Sequence, residues 1–126
     1  MGKRILVVED EAEVREALRE MFTSAGYEVA VAEDGYDAVE KAVSEDYDLI
    51  TMDVRMPRLN GIRATDILRE RRPSVPVVIV SGYLGNDFKY RKALEDLGVR
   101  HFLEKPFSMA EAMRVIREAM GDGGSE

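Results

Sequence analysis

Five short apolar runs, each closed by polar or turn-forming residues, alternate with five stretches of helical periodicity, and this alternation most constrains the fold. The runs are Arg4-Ile5-Leu6-Val7-Val8, residues 27–32, Leu49-Ile50-Thr51-Met52, Pro76-Val77-Val78-Ile79-Val80 and residues 99–103. Runs of this length, mostly apolar and without strict alternation, suit strands covered on both faces in a parallel sheet. Between them, Val14, Leu18, Met21, Phe22 and Ala25 form a first helical stripe, and Gly26 is its stop. Ala38, Val39, Ala42 and Val43 mark one face of a second helix. A third helix follows Asn60-Gly61 and runs to about Arg71, ahead of Pro73. Tyr90, Ala93, Leu94 and Leu97 suggest a fourth, ending at Gly98. Ser108 caps a fifth with Glu111 at the capping-box position, and Met109, Met113, Ile116 and Met120 share a stripe. Strand–helix alternation predicts one parallel sheet with helices on both faces and right-handed crossovers. The pattern alone leaves the strand order open.

Length and composition bound the function. A chain of 126 residues suits one domain. No apolar run approaches the roughly 18 residues that span a membrane, and the start lacks a signal-peptide pattern, so no membrane association is expected. The chain has no cysteine, which excludes disulfide and thiol chemistry and fits a cytoplasmic setting. A formal charge of -7 argues against direct nucleic-acid binding by this domain. The Arg69–Arg72 segment accordingly reads as a solvated helix end, and His101, the sole histidine, as a strand-edge residue.

The chemistry collects at strand ends. The third run delivers Asp53 to its carboxyl end, just before a turn holding Pro57, and the first run delivers Glu9-Asp10-Glu11. Open parallel sheets bind ligands at that edge. Were strands one and three neighbours, Glu9, Asp10 and Asp53 would converge. Three carboxylates in one crevice repel one another unless a cation balances them, and an oxygen-only donor set suits a hard ion such as Mg2+. Lys105 and Ser81, at the ends of the fifth and fourth runs, would line the same edge. A carboxylate nucleophile, a divalent ion, an ammonium and a hydroxyl make a site for phosphoryl transfer. Plainer readings exist: Asp53 as a turn residue, Glu9 and Asp10 as a helix start with Asp10 as its N-cap, Lys105 as a solvated charge, Ser81 as loop polarity and Phe102 as core.

With these residues in hand, the chain resembles the receiver domain of bacterial two-component response regulators over residues 3–120. The matching elements are Leu6-Val7-Val8-Glu9-Asp10-Glu11, Asp53-Val54-Arg55-Met56-Pro57 with Gly61 beyond, Ser81-Gly82, and Phe102-Leu103-Glu104-Lys105-Pro106-Phe107. The resemblance implies a flavodoxin-like doubly wound five-stranded parallel sheet of order 2-1-3-4-5 with five helices. Residues 1–120 are expected to form that receiver domain, and Gly121 to Glu126 reads as a flexible tail or the stump of a linker. The resemblance also implies that Asp53 is the phosphoacceptor and that Glu9, Asp10, Asp53 and the backbone carbonyl of Arg55 hold Mg2+. Lys105 pairs with the aspartate or its phosphate, and Ser81 and Phe102 are the two switch residues. The Lys105-Pro106 peptide is expected to be cis. Expected partners are a sensor histidine kinase or phosphotransfer protein, and an output protein or domain on the surface of the fourth helix, fifth strand and fifth helix, with a phosphorylation-dependent dimer as a further assembly.

Three departures mark this chain: Glu9 where aspartate is commoner, Phe102 in place of a frequent tyrosine, and Gly82 where alanine is common. Arg55 and Tyr83 occupy positions that tune phosphoryl lifetime in the family. The reading is a phosphoacceptor that catalyses its own phosphorylation and hydrolysis rather than a dedicated enzyme. The competing classes are an aspartyl-nucleophile phosphatase or phosphotransferase and a receiver-like binding module that takes no phosphate. The phosphatase class wants a second acid where Arg55 stands; intact Asp53, Lys105 and Ser81 disfavour the binding module. A flavin module of the same architecture is disfavoured because Glu9-Asp10-Glu11 would repel a cofactor phosphate.

Overall fold

The structure, a computed structural model, describes residues 2–54, 60–82 and 88–121, with 88–90 by their backbone alone. Within them the elements run β1 (Arg4–Val8), α1 (Ala12–Ser24), β2 (Glu28–Ala32), α2 (Gly35–Ser44), β3 (Leu49–Asp53), α3 (Gly61–Arg71), β4 (Val77–Ser81), α4 (Phe88–Asp96), β5 (His101–Glu104) and α5 (Met109–Ala119). All strand pairs are parallel, and the sheet order is β2-β1-β3-β4-β5. The periodicity thus gave the right elements. Strand edges differ by one or two residues: β2 starts one residue late, β4 reaches Ser81, and β5 begins at His101 and includes Glu104.

Two apolar layers sandwich the sheet. On one face Leu6, Val8, Ile50, Met52 and Ile79 pack beneath Ala38 and Ala42 of α2, Ala64 and Leu68 of α3, and Leu94 of α4. On the other, Ile5, Val7, Leu49, Val78 and Val80 meet Leu18 and Phe22 of α1 and Met113 and Ile116 of α5. Successive strand residues enter opposite layers because side chains alternate across a sheet. β3 and β4 are buried at every position, which is why they lack a polar phase.

Helix ends follow their local chemistry. Asp34, Asn60 and Ser108 each accept a backbone N–H from the third residue onward, and Ser108 with Glu111 closes a full capping box. Gly26 and Gly98 sit at φ 101° and 93° beyond α1 and α4, a left-handed conformation that a side chain would strain. Two apolar assignments need correction. Val43 is 40% exposed and Met109 is 52% exposed, each near an end of its helix. Asp10 is also not the cap of α1: Glu11 takes that position, without a side-chain cap bond. The Lys105-Pro106 peptide is cis. The Pro57 turn, Tyr83, the Tyr90 side chain and residues 122–126 of the expected tail lie outside the described residues; Gly121 is exposed.

Candidate functional site

Because β1 lies between β2 and β3, the ends of β1 and β3 are neighbours, with Val8 paired to Met52. The residues that follow, Glu9 and Asp10 on one side and Asp53 on the other, therefore meet at the carboxyl edge where the strand order reverses. One carboxylate oxygen from each of the three lies within 4.8 Å of the others. Glu9 is 1% exposed and Asp53 6%, so two carboxylates sit largely out of water. The backbone carbonyl of Arg55, a ligand implied by the resemblance, lies outside the described residues.

Lys105 reaches the same point from the far side of the sheet. Its Nζ donates to Glu9 Oε1 at 3.1 Å and to Asp53 Oδ2 at 3.5 Å. Strand order explains this reach: β5 is the edge strand, and the loop after it carries Lys105 back over β4. The loop is anchored by Lys105 N–H donating to the Ser81 carbonyl at 3.0 Å, one step beyond the last register pair, Ser81 opposite Glu104. Ser81 ends β4 fully buried, one residue past the Val80 that stands opposite Asp53. Phe102 pairs with Ile79 in β5 and is half-buried against the layer beneath α2, α3 and α4, with the Arg91 guanidinium 4.2 Å from its ring centroid. That geometry suits a cation–π contact.

Charge in this crevice is out of balance. When all three acids are ionised, one ammonium faces three carboxylates. Burial, then the hydrogen bond and negative charge of Asp53, push the Glu9 carboxyl up to about 7 against the opposing pull of Lys105. For Lys105, burial works to lower its basicity, yet Asp53 and Glu9 together outweigh it and raise the ammonium above its usual range. An oxygen-only trio with two negative charges uncompensated fits a divalent hard cation that keeps several waters. Glu9, Asp10 and Asp53 are the side chains that would hold it.

Gly61 shapes the same corner. A Cβ there would lie 2.2 Å from the Asp53 carbonyl oxygen and 2.8 Å from Val54 Cα, and its N–H donates to the Val54 carbonyl at 3.0 Å. The start of α3 thus packs directly on the backbone that presents Asp53. Sequence reading missed three arginines. Arg15 donates to the Glu9 and Asp10 carbonyls. Arg69 donates to the Leu97 and Val75 carbonyls, and Arg72 to those of Ala42 and Val43. The last two are half-buried tethers, not the solvated helix end that their charge suggested; apart from Val75, their carbonyl partners lie 28 to 30 residues away in sequence and leave no local signal.

Over residues 5–117 the chain matches the family model of the response regulator receiver domain. The chemotaxis protein CheY of Thermotoga maritima is 35% identical over 119 residues, covering 94% of this chain and 98% of that protein. The transcriptional regulatory protein PdtaR of Mycobacterium tuberculosis is 39% identical over 119 residues, 94% of this chain but 57% of its own length. The chain thus spans little more than half of that relative. Among solved structures, the receiver domain of a sensor histidine kinase from Pseudomonas aeruginosa, with a magnesium ion coordinated in the active-site cleft, is 34% identical with a TM-score of 0.85, covering 96% of this chain and 99% of that one. The chain belongs to the response regulator receiver domain family, the phosphorylation-switched signalling modules of two-component systems.

Proposed function

We propose that Asp53 is the phosphoacceptor, that Glu9, Asp10 and Asp53 hold Mg2+ with the Arg55 carbonyl, and that Lys105, Ser81 and Phe102 convert phosphorylation into a change of surface. The observation that carries this reading is the convergence on Asp53 of two further acids from β1 and one ammonium from beyond β5. Receiver domains bind Mg2+ at such an acidic site. Mg2+ when bound would neutralise charge on the phosphoryl oxygens. The rest falls to side chains. An Asp53 carboxylate oxygen attacks phosphorus in line, the bond from phosphorus to the donor imidazole nitrogen breaks, and its electron pair returns to that nitrogen. Lys105 holds charge developing on the phosphoryl oxygens, and the buried Ser81 hydroxyl lies one strand over, where it can donate to one of them.

A phosphoryl group on Asp53 changes what Lys105 and Ser81 bond to. Only contacts that differ between the two arrangements shift the population, and Phe102 on β5 is the side chain that registers the difference in this reading. The proposed donor is a sensor histidine kinase or phosphotransfer protein, and the proposed readout surface is α4, β5 and α5, used by an output partner or by a second phosphorylated copy. The chain acts as a switch with self-directed phosphoryl chemistry, in the cytoplasm. None of the described helices is long and apolar enough to cross a membrane.

Beryllofluoride with Mg2+, a phosphoryl mimic that binds carboxylates, tests the assignment. A single adduct on Asp53 is expected, lost in Asp53→Asn while the circular dichroism spectrum stays native. An adduct on another acid, or none with Mg2+ present, overturns it.

A further inference from the structure

α1 begins weakly. Its N-cap, Glu11, makes no side-chain cap bond, so the loop carrying Glu9 and Asp10 is not fastened by the usual device. Arg15, in the first turn, fastens it from the other direction. Its Nη1, which carries two hydrogens, donates to the Glu9 carbonyl at 2.9 Å and the Asp10 carbonyl at 3.3 Å. Two carbonyls held in succession orient two successive peptide planes, and those planes set the direction in which the Asp10 side chain leaves the backbone. Glu9 is tied on both sides, since its own N–H donates to the Ala32 carbonyl at 3.0 Å.

We propose that Arg15 is a positioning residue for the acidic metal site: its guanidinium, half-buried against the β1–α1 loop, holds the Glu9 and Asp10 carbonyls so that both carboxylates face Asp53. This rests on the reading of Glu9, Asp10 and Asp53 as the Mg2+ site. Groups that orient metal ligands without touching the ion commonly change affinity by about 10- to 100-fold when removed. The sign of the effect separates positioning from charge. A guanidinium this close repels a divalent cation, so on Coulomb's law alone its removal would tighten Mg2+ binding. Positioning demands the reverse.

The test is calorimetric titration of Mg2+ alone into the full chain at one fixed pH and salt concentration, for wild type, Arg15→Gln, Arg15→Lys and Arg19→Ala. Arg19 lies on the same helix and pairs with Glu16, away from the loop. Arg15→Gln is expected to bind Mg2+ about 10-fold more weakly. Arg15→Lys, which keeps the charge but loses the fork, should fall between it and wild type, and Arg19→Ala should match wild type. Arg15→Gln binding as tightly as wild type or more tightly overturns the proposal, as does an equal loss in Arg19→Ala. Should Arg15→Gln lose its native circular dichroism spectrum, Arg15→Lys decides: weaker binding supports the role and unchanged binding overturns it. A wild type that takes up no Mg2+ removes the acidic-site reading itself, which distinguishes that failure from failure of the Arg15 role.

Discussion

The two ends of the sheet treat charge in opposite ways. At the amino end, Arg4 meets Glu45, Glu28 and the Asp46 carbonyl, donates its backbone N–H to the Asp48 carboxylate, and stacks over Tyr47 with 4.8 Å from guanidinium carbon to ring centroid. Arg72 and Arg69 spend their N–H groups on carbonyls at the ends of α2 and α4 and before β4. Donors and acceptors there are matched, and most of these groups touch water. At the carboxyl end, two nearly dry acids share one lysine, and a third acid stands beside them. The matched end joins helices to one another. The unmatched end stores an electrostatic demand that a cation or a change of protonation satisfies, and a binding site needs such a demand.

Four measurements press on this contrast. The largest stability loss is expected from Gly61→Ala, because the added methyl meets backbone atoms of Asp53 and Val54 that cannot rotate aside. Overpacking of this kind costs about 3 kcal/mol, read as a fall in urea midpoint, and the displaced Asp53 should also weaken Mg2+ binding. A normal midpoint would mean that the carboxyl end yields more easily than its close packing implies.

Next comes pH. Glu9 has its carboxyl raised in the folded state from 4.5 to about 7. Its contribution to stability is therefore fully present below about 4.5 and is lost as pH rises through about 7. In metal-free buffer with chelator, wild type should lose stability relative to Glu9→Gln, which mimics the protonated acid, as pH rises across that window, by about 3 kcal/mol at the ceiling. A pH-independent difference would show that the acids are already balanced. Mg2+ must displace the same proton, so its affinity should fall as pH drops below about 7.

At the amino end, Arg72→Ala removes two bonds to the last carbonyls of α2 and should cost about 1–2 kcal/mol with no change in Mg2+ affinity. A loss of affinity there would break the separation between the two ends. The smallest effect is expected from Lys92→Ala, which ends an exposed pair with Asp96 one turn along α4 and should stay within about 0.5 kcal/mol.

What was legible in the sequence follows from the range over which each signal acts. Strands and helices carry their period in consecutive residues, so β3 and the capping box of α5 could be read directly. Asp53, Lys105 and Ser81 were findable because each ends an apolar run, and a shared edge is a property of topology rather than of detail. Arg15, Arg69 and Arg72 were not, because a cation donating to backbone carbonyls leaves no mark on the sequence at the acceptor. The roll of Val43 and Met109 into solvent escaped for another reason: a helix end can turn its stripe away from the sheet without altering the period.

The Lys105 ion pairs join residues 52 and 96 positions apart. During synthesis the acids of β1 and β3 emerge from the ribosome long before their counter-ion exists. Until β5 has added to the sheet, the growing chain has an acidic crevice with no ammonium to steady it. The charge balance of the crevice is therefore set by the last strand to join the sheet.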